Sequence, residues 1–152
     1  MAGVVYFKGP NNPLSNLFPV SGGLPVWDKT FVSVEQAYQY AKARIARDDY
    51  HMSAILSCTN PWDILALGKR VPTGQAWHCQ KVGLMKHLLR IKAQHCHAFR
   101  QSLRISGTKT LVEDTRQPFW AKGPHGDGKN VLGKILEDVR AEIYSGALPV
   151  ST

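Results

Sequence analysis

Apolar and polar positions alternate in two rhythms along this chain. Residues 1 to 32 carry short apolar pieces, VVYF, LPVW and TFVS, separated by Pro, Gly and Asn. Period-two pieces bounded by such residues predict short strands, with GPNNPLSN as an irregular loop. At Ser33 the rhythm changes. Ser33 and Gln36 form a Ser-x-x-Gln capping box, which predicts a helix to about Arg47, with Tyr38, Ala41 and Ile45 toward the core. DDYHMSAILSC reads as a second helix. Asn60-Pro61, a cap followed by Pro at the first helical position, opens a short helix, WDILALGKR, expected to stop near Gly68. From 76 to 104 the pattern is helical through Met85, Leu88, Leu89, Cys96 and Phe99, with a break around His95 to His97. KTLVED reads as a strand and TRQPFWAKGPHGDGK as a loop. Asn130 can cap a last helix, VLGKILEDVRAEIY, in which Val131, Ile135, Val139 and Ile143 recur at i, i+4. The sum is an α+β fold: a single compact, predominantly helical domain with a small β-sheet.

Composition narrows this further. With 152 residues, 43% apolar and 20% charged, the chain is globular and sized for one domain. It has no apolar run of about 18 residues, so no membrane span is expected. MAGVVYFKGPNN lacks the build of a secretory signal. Cys58, Cys79 and Cys96 are odd in number and form no CxxC pair, which fits free thiols in a reducing compartment, so a cytoplasmic protein is expected; a monomer is expected as well. The net charge is +8, and no acidic residue stands between Asp63 and Glu113. Nine basic residues do, from Lys69 to Lys109. Such a one-signed field suits an anionic partner, whether phosphate ester, nucleotide or nucleic acid, and equally a solvated basic face.

Three stretches are candidates for chemistry. In FVSVEQAYQYAKA, Glu35, Gln39 and Lys42 fall at offsets of four and three and so share one helix face. Glu35 and Lys42 stand about 10.5 Å apart along the axis, too far for a direct ion pair, so something between them must satisfy both. The same spacing also suits an amphipathic helix with a polar outer face. In GPNNPLSNLFP, Asn11, Asn12, Ser15 and Asn16 offer small polar groups on a turn-rich frame, with Phe18 able to stack on a flat ring; turn chemistry alone also accounts for them. FWAKGPHGDGKN ends at a helix N-terminus that could face an anion, though neither GxxxxGK[ST] nor GxGxxG is present and a tight connector is the simpler reading. His78-Cys79 and His95-Cys96-His97 match no common zinc spacing, so neither metal nor cofactor is expected.

In order, PLSNLFP, SVEQAYQYAK, LGKR, then Trp77, Met85 and Lys92, LVED, FW with a Gly-rich loop, and NVLGKILEDVR resemble the NADAR, or YbiA-like, family over roughly residues 6 to 144. The resemblance implies N-glycosidase chemistry on ribosyl compounds: ribosylamino-pyrimidine intermediates of riboflavin synthesis, or ADP-ribose carried on guanine, free or within nucleic acid. It implies Glu35 and Lys42 as catalytic residues. Asn16, Phe18, Tyr38, Gln39, Arg70, Trp77, Trp120 and Asn130 would shape the ribose, base or phosphate site. The chain departs from the family pattern at Gln36 (commonly His), Ala43 (commonly Phe), Ala121 (commonly Gly) and Gln117 (often Asp).

Breaking a C1′–N bond builds positive charge on the anomeric carbon and negative charge on the base. Glu35 would answer the first or shuttle a proton. A desolvated Lys42 would be a neutral amine, able to form an imine at C1′ that water then hydrolyses. Gln39 would orient the water or a ribose hydroxyl, Trp77 or Trp120 would stack on the base, and Arg70 would hold phosphate. A module that binds ADP-ribose without cleaving it is the alternative. A general nucleic-acid binder is a third reading, without an RRM, KH or HTH signature.

Overall fold

The computed structural model describes residues 3–151. Among them the elements run β1 (Val4–Phe7), β2 (Leu24–Val26), β3 (Lys29–Phe31), α1 (Val34–Ile45), α2 (Asp49–Leu56), α3 (Pro61–Lys69), α4 (Gln75–His78), α5 (Lys81–His95), α6 (His97–Ser106), β4 (Thr110–Glu113) and α7 (Val131–Ser145). The fold is α+β and predominantly helical, with two two-stranded sheets where one small sheet was expected. No helix among the described residues is long and apolar enough to cross a membrane. The chain divides into two compact units: one from Pro19 to His95, the other from the residues up to Phe18 together with those from Cys96 onward.

In the 19–95 unit, β2 and β3 form an antiparallel hairpin, Leu24 opposite Phe31 and Val26 opposite Lys29. Its two turn residues, Trp27 and Asp28, have φ of 54° and 58°. A two-residue turn with both φ positive matches the twist of the strands, and Asn-Gly is the usual choice. An L-residue there costs roughly 1–2 kcal/mol. The Trp27 ring recovers part of this by stacking on Tyr40 at 6.5 Å and meeting Phe31 edge-on at 6.0 Å.

The next element, α1, starts as the capping box predicts, with Ser33 Oγ accepting from the Gln36 amide at 3.2 Å. The Gln36 side chain reaches past the Ser33 cap to the residue before it and across to α2. Its Oε1 accepts from the Val32 amide at 2.7 Å, and its Nε2 donates to the carbonyls of Ile55, Leu56 and Cys58 at 3.0, 3.2 and 2.9 Å. One buried amide thus ties the start of α1 to the end of α2. At its far end α1 closes in a Schellman motif: the amide of Arg47 donates to the Arg44 carbonyl and that of Asp48 to the Ala43 carbonyl. Arg47 takes the left-handed position, φ 56°, where glycine is the common solution.

The helix α3 begins as expected, Asn60 Oδ1 accepting from the amides of Trp62 and Asp63 at 2.9 and 3.1 Å. It ends at Lys69, near Gly68 as expected. Gly68 is there for space: a β-carbon would run into the Gln39 amide of α1. The expected long helix is broken at Cys79–Gln80 as well as at Cys96. In α5, Met85, Leu88, Leu89 and Lys92 form the buried stripe at i, i+3, i+4 and i+7.

In the other unit β1 and β4 pair in parallel, Val5 opposite Leu111, and α7 lies on β4. The buried stripe of α7 is Leu132, Ile135, Leu136 and Val139. Val131 and Ile143 of the expected i, i+4 row are only half-buried, because 3.6 residues per turn rotates a strict i, i+4 row off the contact face within two turns. At Gly133 a β-carbon would meet the Leu111 carbonyl and the Asn130 amide, so glycine lets helix and strand approach.

Candidate active site

Eight of the twelve residues of α1 from Val34 to Ala41 run buried without interruption, Glu35 and Gln39 included. The polar-outer-face arrangement, which the spacing allowed, is therefore not the one adopted. Gln39 Nε2 donates to Glu35 Oε1 at 2.8 Å. The other end of that amide, Gln39 Oε1, is buried and has no hydrogen-bond partner among the described residues. An unmade bond to a buried carbonyl costs about 1–3 kcal/mol, which persists only where something else uses the group.

Lys42 is half-buried. Among the described residues its ammonium makes neither a hydrogen bond nor an ion pair, Glu35 included. The two groups nevertheless act on each other. Burial pushes the Glu35 carboxyl above its ordinary 4.5, against the Gln39 hydrogen bond and the Lys42 charge. Burial likewise pushes the Lys42 amine below its ordinary 10.5, against the Glu35 charge. Both residues are thus moved toward their neutral forms, a protonated acid and a free amine two helical turns apart.

Beside this face Tyr38 and Trp77 are buried, their rings 5.0 Å apart and tilted by 60°. Trp77 is thus a wall fixed by Tyr38, not an open stacking platform. Arg70, the C-cap of α3, is exposed. An open cleft of about 730 Å³ lies against the other side of α1, lined by Trp27, Ala41, Arg44, Arg47, Gln80 and His87 among others, and its lining includes neither Glu35 nor Lys42.

The remaining expected residues belong to the other unit. Asn16 is buried and Phe18 half-buried, on a loop held by local turns: Asn12 Oδ1 accepts from the Leu14 amide and Ser15 Oγ from the Leu17 amide. Trp120 is half-buried, edge-on to Phe119 at 4.9 Å. Asn130 is occupied. Its Nδ2 donates to the Leu111 carbonyl at 2.8 Å and its Oδ1 accepts from the Glu113 amide at 3.1 Å, so the side chain extends β4 and does not cap α7. The anion cradle at the start of α7 is likewise closed: the amides of Asn130, Val131 and Leu132 donate to the carbonyls of Ala121, Phe119 and Trp120.

Sequence reasoning read Gln36 only as a cap and foresaw neither the packing role of Gly68 nor the burial of Lys92. Gly68 was readable, since a glycine inside a helical pattern marks close approach as often as an end. Lys92 is fully buried in α5, a burial that a basic residue in an acid-free stretch gives no hint of.

Comparison with known proteins adds the following. The family model described as the NADAR domain matches residues 6–144. An N-glycosidase of Nostoc punctiforme is 32% identical over 139 residues, covering 88% of this chain and 86% of its own. The N-glycosidase YbiA of Escherichia coli is 28% identical over 107 residues, 68% of this chain and 67% of its own. Its solution NMR structure superposes with a TM-score of 0.78 at 24% identity, over 100% of this chain and 92% of that one. A riboflavin biosynthesis protein of Vibrio vulnificus is 27% identical over 94% of this chain and 39% of its own length.

Proposed function

This chain belongs to the NADAR domain family, and from that premise we propose that it is an N-glycosidase acting on a phosphorylated ribosyl substrate, foremost ADP-ribose joined to a base such as guanine. The observation that carries the reading is the pair on α1: a buried carboxyl pushed toward its acid form beside a buried amide carbonyl, and a half-buried amine, the last two without a hydrogen-bond or ion-pair partner among the described residues.

Protonated Glu35 gives its proton to the ring oxygen as the sugar opens, leaving an iminium between C1′ and the base nitrogen. The Lys42 amine adds to C1′. The base departs with a proton, and a C1′=Nζ imine remains. Water adds to that imine, the C1′–Nζ bond breaks, and the amine and a free sugar aldehyde are regenerated. The Gln39 carbonyl accepts a hydrogen bond from the attacking water or a ribose hydroxyl, and Arg70 supplies charge for phosphate.

The naming of the Vibrio vulnificus relative favours a second substrate for the same chemistry, a ribosylamino-pyrimidine phosphate. One experiment tests both. ADP-ribosylated guanine, free and in DNA or RNA, and ribosylamino-pyrimidine phosphates are incubated with the protein, and released fragments are read by mass spectrometry with and without borohydride. Release of base, together with a reduced sugar adduct mapped to Lys42, is the expected result. Turnover that leaves Lys42 unmodified under borohydride removes the imine route. Absence of release from every substrate, with ADP-ribose still bound by Lys42→Ala, replaces the enzyme with a binding module.

A further inference from the structure

The open cleft on α1 has its own chemistry. Two arginines line it, Arg44 and Arg47, and no carboxylate does. Among the described residues neither guanidinium has a hydrogen-bond or ion-pair partner. The carboxylate next in sequence, Asp48, is committed to His51, accepting from its amide at 3.1 Å and bonding its Nδ1 at 2.7 Å. Gln80 and, from α5, His87 add further hydrogen-bonding side chains to the lining. Trp27 also lines the cleft, half-exposed, its ring stacked on Tyr40 at 6.5 Å. An indole held in this way is a preorganised surface for a flat ring.

The backbone points the same way. Of the four non-glycine residues with positive φ among those described, two line this cleft: Trp27 at 54° and Arg47 at 56°. The C-terminus of α1 favours a nearby cation, which accounts for Arg44 in the last turn. It does not account for Arg47, which sits where glycine would close the helix without strain. Strained positions that keep bulky side chains collect where those side chains are used.

We propose that this cleft is a nucleotide-binding site, with the base against Trp27 and the phosphate between Arg44 and Arg47, separate from the Glu35–Gln39–Lys42 face of the same helix. Arg44 follows Lys42 by two residues, which turns it roughly 200° around α1, away from that face. The chemistry is the same for a free nucleotide and for a nucleotide unit within a strand.

Calorimetric titration with adenosine monophosphate, inorganic phosphate and a short oligothymidylate tests this. Adenosine monophosphate should bind wild type and Lys42→Ala alike, and should protect the exposed, cleft-lining Cys79 from iodoacetamide. The pair Arg44→Ser with Arg47→Gly should weaken it at least about tenfold. Trp27→Leu should erase the advantage of the nucleotide over inorganic phosphate. Arg47→Gly relieves a left-handed arginine, so its melting temperature should not fall, and loss of binding in it is not loss of fold. Oligothymidylate tighter than the mononucleotide identifies a strand as the ligand; the reverse order identifies a free nucleotide. Binding that survives both arginine changes, or that disappears with Lys42→Ala, overturns the site. No turnover enters the measurement, and loss of binding in the Arg44 and Arg47 variants, which leave Glu35, Lys42 and Arg70 in place, separates this cleft from the proposed substrate site.

Discussion

Glu35 and Lys42 are held in an environment that suits neither as an ion, and this sets a testable pH dependence. The folded Glu35 carboxyl binds its proton more tightly than the unfolded one. Its contribution to stability is therefore complete below pH 4.5 and is lost as pH rises through the raised folded value. Lys42 is the mirror case: its contribution is complete above 10.5 and lost as pH falls through the lowered value. At neutral pH both residues therefore weaken the fold. Glu35→Gln and Lys42→Met should each gain about 0.5–2 kcal/mol at pH 7 while abolishing turnover. Thermal denaturation across pH checks this. The Glu35→Gln advantage should shrink to nothing below pH 4.5, where the wild-type residue is itself neutral, and a gap that is flat or inverted with pH would refute the assignment. The i, i+4, i+7 spacing showed that these residues share a face. It did not show which way the face turns, because burial is decided by α2, α3 and α5 packing around α1, and no local pattern carries that information.

At the scale of elements, the site depends on how closely α3 approaches α1. Gly68 admits the Gln39 amide, and Gln39 holds Glu35. Gly68→Ala should displace that amide, cost about 1–3 kcal/mol as an overpacked contact, and lower turnover more than it lowers substrate affinity; kcat and KM measured separately decide it. Gln36 works differently, since its amide serves four backbone groups at the junction of α1 and α2. Gln36→Ala should cost about 2–4 kcal/mol in urea denaturation, the consequence of leaving buried carbonyls unmet. The capping box made the residue's local role legible. Its three carbonyl partners lie at least 19 residues away along the chain, beyond the reach of any capping motif. Element boundaries were readable where a cap wrote them, at Ser33 and Asn60, and the end of α3 near Gly68 was readable as well, although that glycine serves packing. In α7 Ile135 and Val139 of the expected row are buried, whereas its ends, Val131 and Ile143, turn half out and Leu132 and Leu136 take their share of the contact.

Across the whole molecule, charge was the most legible property and the least literal one. The acid-free stretch from Asp63 to Glu113 suggested a single basic face. Lys92 and Arg100 of that stretch are buried, so they are not part of any solvated surface. Arg140, outside the stretch, is buried too, donating to Ser106 Oγ at 2.8 Å. The remaining basic residues still give the chain its +8, and a long-range field acts on encounter more than on chemistry. For a substrate bearing phosphates, kcat/KM should therefore fall as salt rises from about 50 to 200 mM, where the screening length contracts toward the size of a side chain. The step inside the site is shielded from bulk ions by the burial of Glu35, so kcat should stay level over the same range. Initial rates taken at saturating and limiting substrate separate the two. Efficiency that ignores salt would mean that the net charge serves solubility alone. A kcat that falls in step with efficiency would mean that the proposed reacting pair is open to solvent, against the burial of Glu35.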